Sequence, residues 1–117
     1  MKDIFIFGDS VAYGQWDEQG GWVQRLRSSL DQSYIAHRSE KIYFYNLGVP
    51  GETAEDILKR FRNEISARHK DGKEKIVLFA VGMNDSHVVH KTKRGKFTPE
   101  AFEDNMKILL SQAREFS

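Results

Sequence analysis

Cysteine is absent from the 117 residues. That excludes disulfides, zinc–thiolate centres and a thiol nucleophile, and it fits a reducing compartment. An excess of one charge is absent too: 18 Lys and Arg stand against 17 Asp and Glu, a formal net charge of +1. This balance does not point to nucleic acid, and no basic stretch interleaves with aromatics as a nucleic-acid surface would. The local run His90-Lys91-Thr92-Lys93-Arg94-Gly95-Lys96 reads as a solvated loop, with a polyanion contact as the alternative. No apolar run approaches the ~20 residues of a membrane span. Met1-Lys2-Asp3 runs straight into a strand-like segment without a charged leader and long apolar stretch, so no signal peptide is visible and a cytoplasmic location is expected. Neither a dinucleotide fingerprint nor a Walker loop occurs.

What is present suffices for one modest domain over residues 1–117. A hydrophobic fraction of 39% supports a core, and 30% charged residues give an ordinary surface. Three apolar, β-rich runs stand out: Ile4-Phe5-Ile6-Phe7, Ile42-Tyr43-Phe44-Tyr45 and Ile76-Val77-Leu78-Phe79-Ala80-Val81. Their near-continuous hydrophobicity predicts strands buried on both faces. Between them, Trp22, Val23, Leu26 and Leu30 share a helical face, as do Ala54, Ile57, Leu58, Phe61 and Ile65. Thr53 with Asp56 is a capping box for the second of these helices. A third pattern, Phe102, Met106, Leu109, Leu110 and Ala113, starts with Thr98 as N-cap and Pro99 as first helical residue. Alternation of strand and helix predicts an α/β fold, a parallel sheet with helices on its faces. Loop 84–97 is long, and long loops in compact domains are often functional.

Ligands of open parallel sheets bind beyond the carboxyl ends of the strands. Gly8-Asp9-Ser10 follows the first run, Asn46-Leu47-Gly48-Val49-Pro50-Gly51-Glu52-Thr53 the second, and Gly82-Met83-Asn84-Asp85 the third. All three segments are glycine-bearing and polar. Together they suit acyl transfer, which needs a nucleophile and fixed donors about 3 Å from the developing oxyanion. Ser10 offers a hydroxyl and an N–H, Gly51 an unshielded N–H, and Asn84 a side-chain amide. Each also has a plainer explanation. Ser10 suits a helix cap, Pro50-Gly51 a turn, and Asn84-Asp85 an Asx-turn.

The three blocks resemble those of the GDSL, or SGNH, family of serine ester hydrolases. "IFIFGDSVAYG" matches the first, "NLGVPGET" the second and "VGMND" the third, and "GGWVQRL" and "FTPEAFEDNMKILLSQARE" also look like the family. The resemblance implies a flavodoxin-like three-layer α/β/α sandwich with the first strand between the second and third. It implies Ser10 as nucleophile, with the Ser10 N–H, Gly51 and Asn84 at the oxyanion, supported by Gly8, Asp9, Gly82 and Asp85. The substrate would be a small-molecule ester, with no cofactor and no metal.

The family's fourth block, Asp-x-x-His, does not occur at His37, His69, His87 or His90. His37 and His69 read as surface residues between elements, and His87 and His90 as loop histidines or as lining of the substrate entrance. Tyr13, Trp16 and the 84–97 loop are candidates for pocket walls. The sequence is therefore expected to be the N-terminal portion of such a domain, with three strands, three main helices and the base elsewhere. A third strand with an unpaired apolar edge invites self-association. Two further readings stand beside the hydrolase. One is a binding module holding a phosphate or carboxylate at a helix start. The other is an inactive homologue acting through protein contacts.

Overall fold

The structure, a computed structural model, describes residues 1–86 and 98–116. Strands β1 (Lys2–Gly8), β2 (Ile42–Gly48) and β3 (Glu74–Ala80) form a parallel sheet in the order β2-β1-β3. Helices α1 (Ser10–Tyr13) and α2 (Gly21–His37) connect β1 to β2, α3 (Ala54–Arg68) connects β2 to β3, and α4 (Pro99–Arg114) follows. The α/β order, and β1 at the centre of the three, agree with the sequence analysis.

The side-chain period of two sorts β1 onto two faces. Phe5 and Phe7 point to one side, where they meet Leu47 of β2, Ile57, Phe61 and Ile65 of α3, and Leu109 of α4. Phe61 is the hinge of this core: its ring lies 4.9 Å from Phe7 and 5.6 Å from Phe79, centroid to centroid. Ile6 points to the other side, against Ala12 of α1 and Val23 of α2. Helices therefore cover both faces of the sheet, in three layers.

Burial on both faces holds for β1 alone. On β3, Ile76 and Leu78 are 36% and 41% exposed. Both belong to the face carrying Ile4 and Ile6, because Ile4 pairs with Ile76 and Ile6 with Leu78. On that face α2 packs over β1 and β2, leaving β3 uncovered among the described residues. The same geometry thins the apolar stripe of α2: Val23 is buried, whereas Trp22 and Leu26 are exposed. On α4, Leu109 is buried and its neighbour Leu110 exposed, since one residue turns about 100° around the helix.

The predicted helix starts are found where the local chemistry puts them. Thr53 N–H donates to Asp56 Oδ2 at 3.0 Å, and Asp56 N–H donates to Thr53 Oγ1 at 3.3 Å, closing the capping box of α3. Ala101 N–H donates to Thr98 Oγ1 at 3.1 Å with Pro99 in the first turn of α4. The strands run to other limits than their apolar cores suggest. β2 continues through Asn46, Leu47 and Gly48, so its loop begins at Val49, and β3 stops at Ala80. At the head of the predicted 84–97 loop, residues 83–86 form a helical turn, in which Ser86 N–H donates to Gly82 O at 3.1 Å. The rest of that loop, with His87, His90 and the basic run, lies outside the described residues.

Candidate active site

Parallel register levels the three strands at their carboxyl ends: Gly8 stands opposite both Gly48 and Ala80. The segments singled out in the sequence therefore leave the sheet side by side. Gly8 is needed there for its lack of a side chain. A Cβ would fall 2.7 Å from Ala12 Cβ and 2.9 Å from Ala80 O, so only glycine lets α1 settle on the strand end.

At the first segment, the helix cap is not Ser10. Asp9 is the N-cap of α1, with Oδ1 accepting from Val11 N–H at 3.0 Å, and it is buried. Ser10 is the first helical residue, half-buried, and its hydroxyl takes no hydrogen-bond partner among the described residues. The capping explanation of Ser10 thus passes to its neighbour.

At the second segment, the turn explanation of Pro50-Gly51 holds. Glu52 N–H donates to Val49 O at 3.3 Å, with Pro50 and Gly51 at the corners. Gly51 has φ +82°, and a Cβ on it would meet nothing within 4 Å. Proline then positive-φ glycine is the type II pattern, and it leaves the space over Gly51 open. Its N–H takes no backbone carbonyl among the described residues.

At the third segment, Asn84 does not turn back on its own backbone as an Asx-turn would. Its Nδ2 donates to Glu52 O at 3.0 Å, across to the residue after Gly51. Asp85, 5% exposed, reaches further along the same loop: both carboxylate oxygens lie 3.2 Å from the Ala54 N–H that opens α3. Burial pushes its carboxyl above the usual range, partly offset by that N–H and reinforced by the nearby carboxylates of Asp56 and Asp9. Gly82 precedes this turn at φ +136°.

Two further residues that the sequence analysis did not single out hold the second segment. Asn46 donates from Nδ2 to Ala12 O at 2.9 Å and accepts from Gly48 N–H at 3.0 Å, joining α1 to the end of β2. Arg60 of α3 donates to Leu47 O at 2.6 Å and, through Nε, to Glu52 Oε2 at 2.8 Å, with its guanidinium over the Phe7 ring. No spacing rule links Glu52 to Arg60. An Asn at the end of a strand is the only sequence signal for the first.

The described histidines stand apart from this edge. Helices α2 and α3 run back along the sheet, and His37 and His69 lie at their far ends. His69 is less of a surface residue than its sequence suggests: its ring packs edge-on to Phe116 at 5.6 Å, and Nε2 is 3.1 Å from Asp71 Oδ1. Among the described residues, no three His, Asp or Glu side chains are grouped to hold a metal ion. No helix there is long and apolar enough to cross a membrane.

A hydroxyl with no partner among the described residues, an open glycine turn and a crosswise asparagine thus stand at neighbouring strand ends. The family model of the GDSL-like lipase/acylhydrolase family matches residues 6–117. The chain belongs to this family. No curated protein matches it, but solved structures do. A variant of the esterase AlinE4 shares 22% identity at a TM-score of 0.73, over 97% of this chain and 53% of its own. A variant of Axe2, an acetyl xylan esterase from Geobacillus stearothermophilus, shares 16% identity at a TM-score of 0.73, over 97% and 55%. LAE5, an alpha/beta hydrolase enzyme from the metagenome of Lake Arreo, Spain, shares 19% identity at a TM-score of 0.74, over 95% and 54%. At these identities the likeness is one of fold, and the GDSL-like chain spans about half the length of each solved relative.

Proposed function

We propose that this GDSL-like chain carries the nucleophile and oxyanion half of a serine carboxylic-ester hydrolase. Ser10 Oγ attacks the acyl carbon and loses its proton to a base. The carbonyl π pair moves onto oxygen, where the N–H groups of Ser10 and Gly51 and the Asn84 amide receive it. Collapse expels the alcohol, which takes up the proton, and leaves an acyl-serine. Water then repeats the sequence and releases the acid. The observation that carries this reading is the Asn84–Glu52 hydrogen bond, which ties the third segment to the glycine turn of the second.

A serine hydroxyl is a weak nucleophile until a positioned base takes its proton. His37 and His69 are at the opposite end of the sheet, so the base is assigned to a group outside the described residues. The test is hydrolysis of p-nitrophenyl acetate by a form of the protein that supplies the base, with and without the Ser10→Ala substitution. The expected result is turnover that disappears with the hydroxyl. Equal rates from both proteins would sink the assignment. Within an active form, Asn84→Ala is expected to lower kcat by about 100- to 1000-fold, the usual effect of removing one oxyanion donor.

A further inference from the structure

Arg60 of α3 brackets the glycine turn from both ends. Its Nη2 lies 2.6 Å from Leu47 O, before the turn, and 2.7 Å from Glu52 Oε2, at the end of it. Nε adds a bond of 2.8 Å to the same carboxylate oxygen. The guanidinium lies over the Phe7 ring, 5.4 Å from its centroid. The two charged side chains are only 18% and 17% exposed.

Through Glu52 this clamp reaches the candidate oxyanion donors. The Glu52 N–H closes the turn on Val49 O at 3.3 Å, its carboxylate takes Arg60, and its carbonyl takes the Asn84 amide at 3.0 Å. Gly51 stands immediately before it in the chain. One Nδ2 hydrogen of Asn84 goes to Glu52 O, which fixes the direction of the second. The Gly51 N–H and the Asn84 amide are therefore both tied to one residue, and α3 holds that residue.

Folding of the helix does not require this ion pair. The start of α3 already has its capping box and the Asp85 carboxylate. A largely buried ion pair also loses hydration on both partners, so its net contribution to stability is small. What a guanidinium adds is geometry. Its donors form a rigid planar fork, whereas a lysine ammonium is a point charge on a flexible stem. An oxyanion site depends on such rigidity, because its donors act when they are fixed before charge develops.

We infer that Arg60 is a positioning residue for the hydrolysis: acting through Glu52, it sets the Gly51 N–H and the Asn84 amide in place for the oxyanion. It touches no reacting atom. The inference rests on the reading of Gly51 and Asn84 given above.

The test is Arg60→Lys, which keeps the charge and loses the fork. In the 117-residue chain, NMR follows the Gly51 N–H and the Asn84 side-chain amide, with the Ala101 N–H that Thr98 caps as control. Both site signals are expected to move and the control to stay. In a form of the protein that supplies the base, kcat for p-nitrophenyl acetate is measured per active site, counted by a p-nitrophenyl phosphonate burst. It is expected to fall by about 10- to 100-fold at unchanged KM, the scale of an ångström-sized misplacement. Glu52→Gln, which breaks the ion pair from its other side, is expected to act in the same direction. Because Arg60 acts through Asn84, the effect of Arg60→Lys should shrink in an Asn84→Ala background. A role in stability alone would act equally in both backgrounds. Unmoved site signals, an unchanged kcat, or an undiminished effect in the Asn84→Ala background would overturn the inference. Failure of the oxyanion reading is seen separately, as a kcat in Asn84→Ala equal to the parent's, and it leaves the NMR result unaffected.

Discussion

Asp85 acts on an element far from its own position in the chain. Its carboxylate caps α3 from another segment, so Asp85→Ala strips an acceptor from a buried N–H. The expected loss is about 1–2 kcal/mol, the upper range for a helix cap, read as a lower urea midpoint at unchanged slope. The pH dependence has a definite sign. Burial raises the folded-state pKa above the unfolded one, so the native state binds more protons in between. The contribution of Asp85 is therefore fully present below the unfolded pKa, about 4, and is lost as pH rises through the folded value. Asp85→Asn keeps an acceptor but removes the titration, so its stability relative to the parent should improve from about pH 3.5 to pH 7. Urea midpoints at the two pH values check this, and a constant difference would refute it. Gly51 is a second single-residue test. At φ +82° with open space over its Cα, Gly51→Ala meets no clash but pays a left-handed backbone cost of roughly 1 kcal/mol. Both residues were legible as candidates from the sequence. What Asp85 bonds to was not, since Ala54 is 31 residues away.

Among the elements, α3 binds the molecule together. Its N-terminus takes the capping box and Asp85, its middle sends Arg60 to the second segment, and Phe61 bridges β1 and β3. Phe61→Ala should cost about 3–5 kcal/mol, typical of a fully buried ring. Domains are commonly stable by only about 5–15 kcal/mol, so thermal unfolding should shift by many degrees or be lost. The helix was readable because its apolar positions recur at helical spacing and its cap is local. The stripe of α2 was equally regular, yet only Val23 of its four apolar positions is fully buried. Periodicity identifies the face a helix offers, and the partner element decides how much of it is covered.

At the scale of the whole molecule, β3 is an edge strand in the described sheet, and its Ile76 and Leu78 face outward. An edge with apolar side chains pairs readily with another chain. The 117-residue protein alone is accordingly expected to self-associate, with a sedimentation coefficient that rises with concentration. Ile76→Lys with Leu78→Lys should shift it toward monomer, as charges on an edge strand oppose pairing. A monomer at all concentrations would refute the expectation.

The sequence by itself determined the strand–helix alternation, the capped starts of α3 and α4, and the three polar segments after the strands. These follow from spacing and from contacts within a few residues, which a chain carries wherever it is placed. The tertiary structure alone decided that, among the described residues, β1 is covered on both faces and β3 on one. It alone decided that Asn84, Asp85 and Arg60 clasp the glycine turn. Those outcomes depend on which surfaces and polar groups meet across the sheet, and such adjacency exists only once the chain has folded.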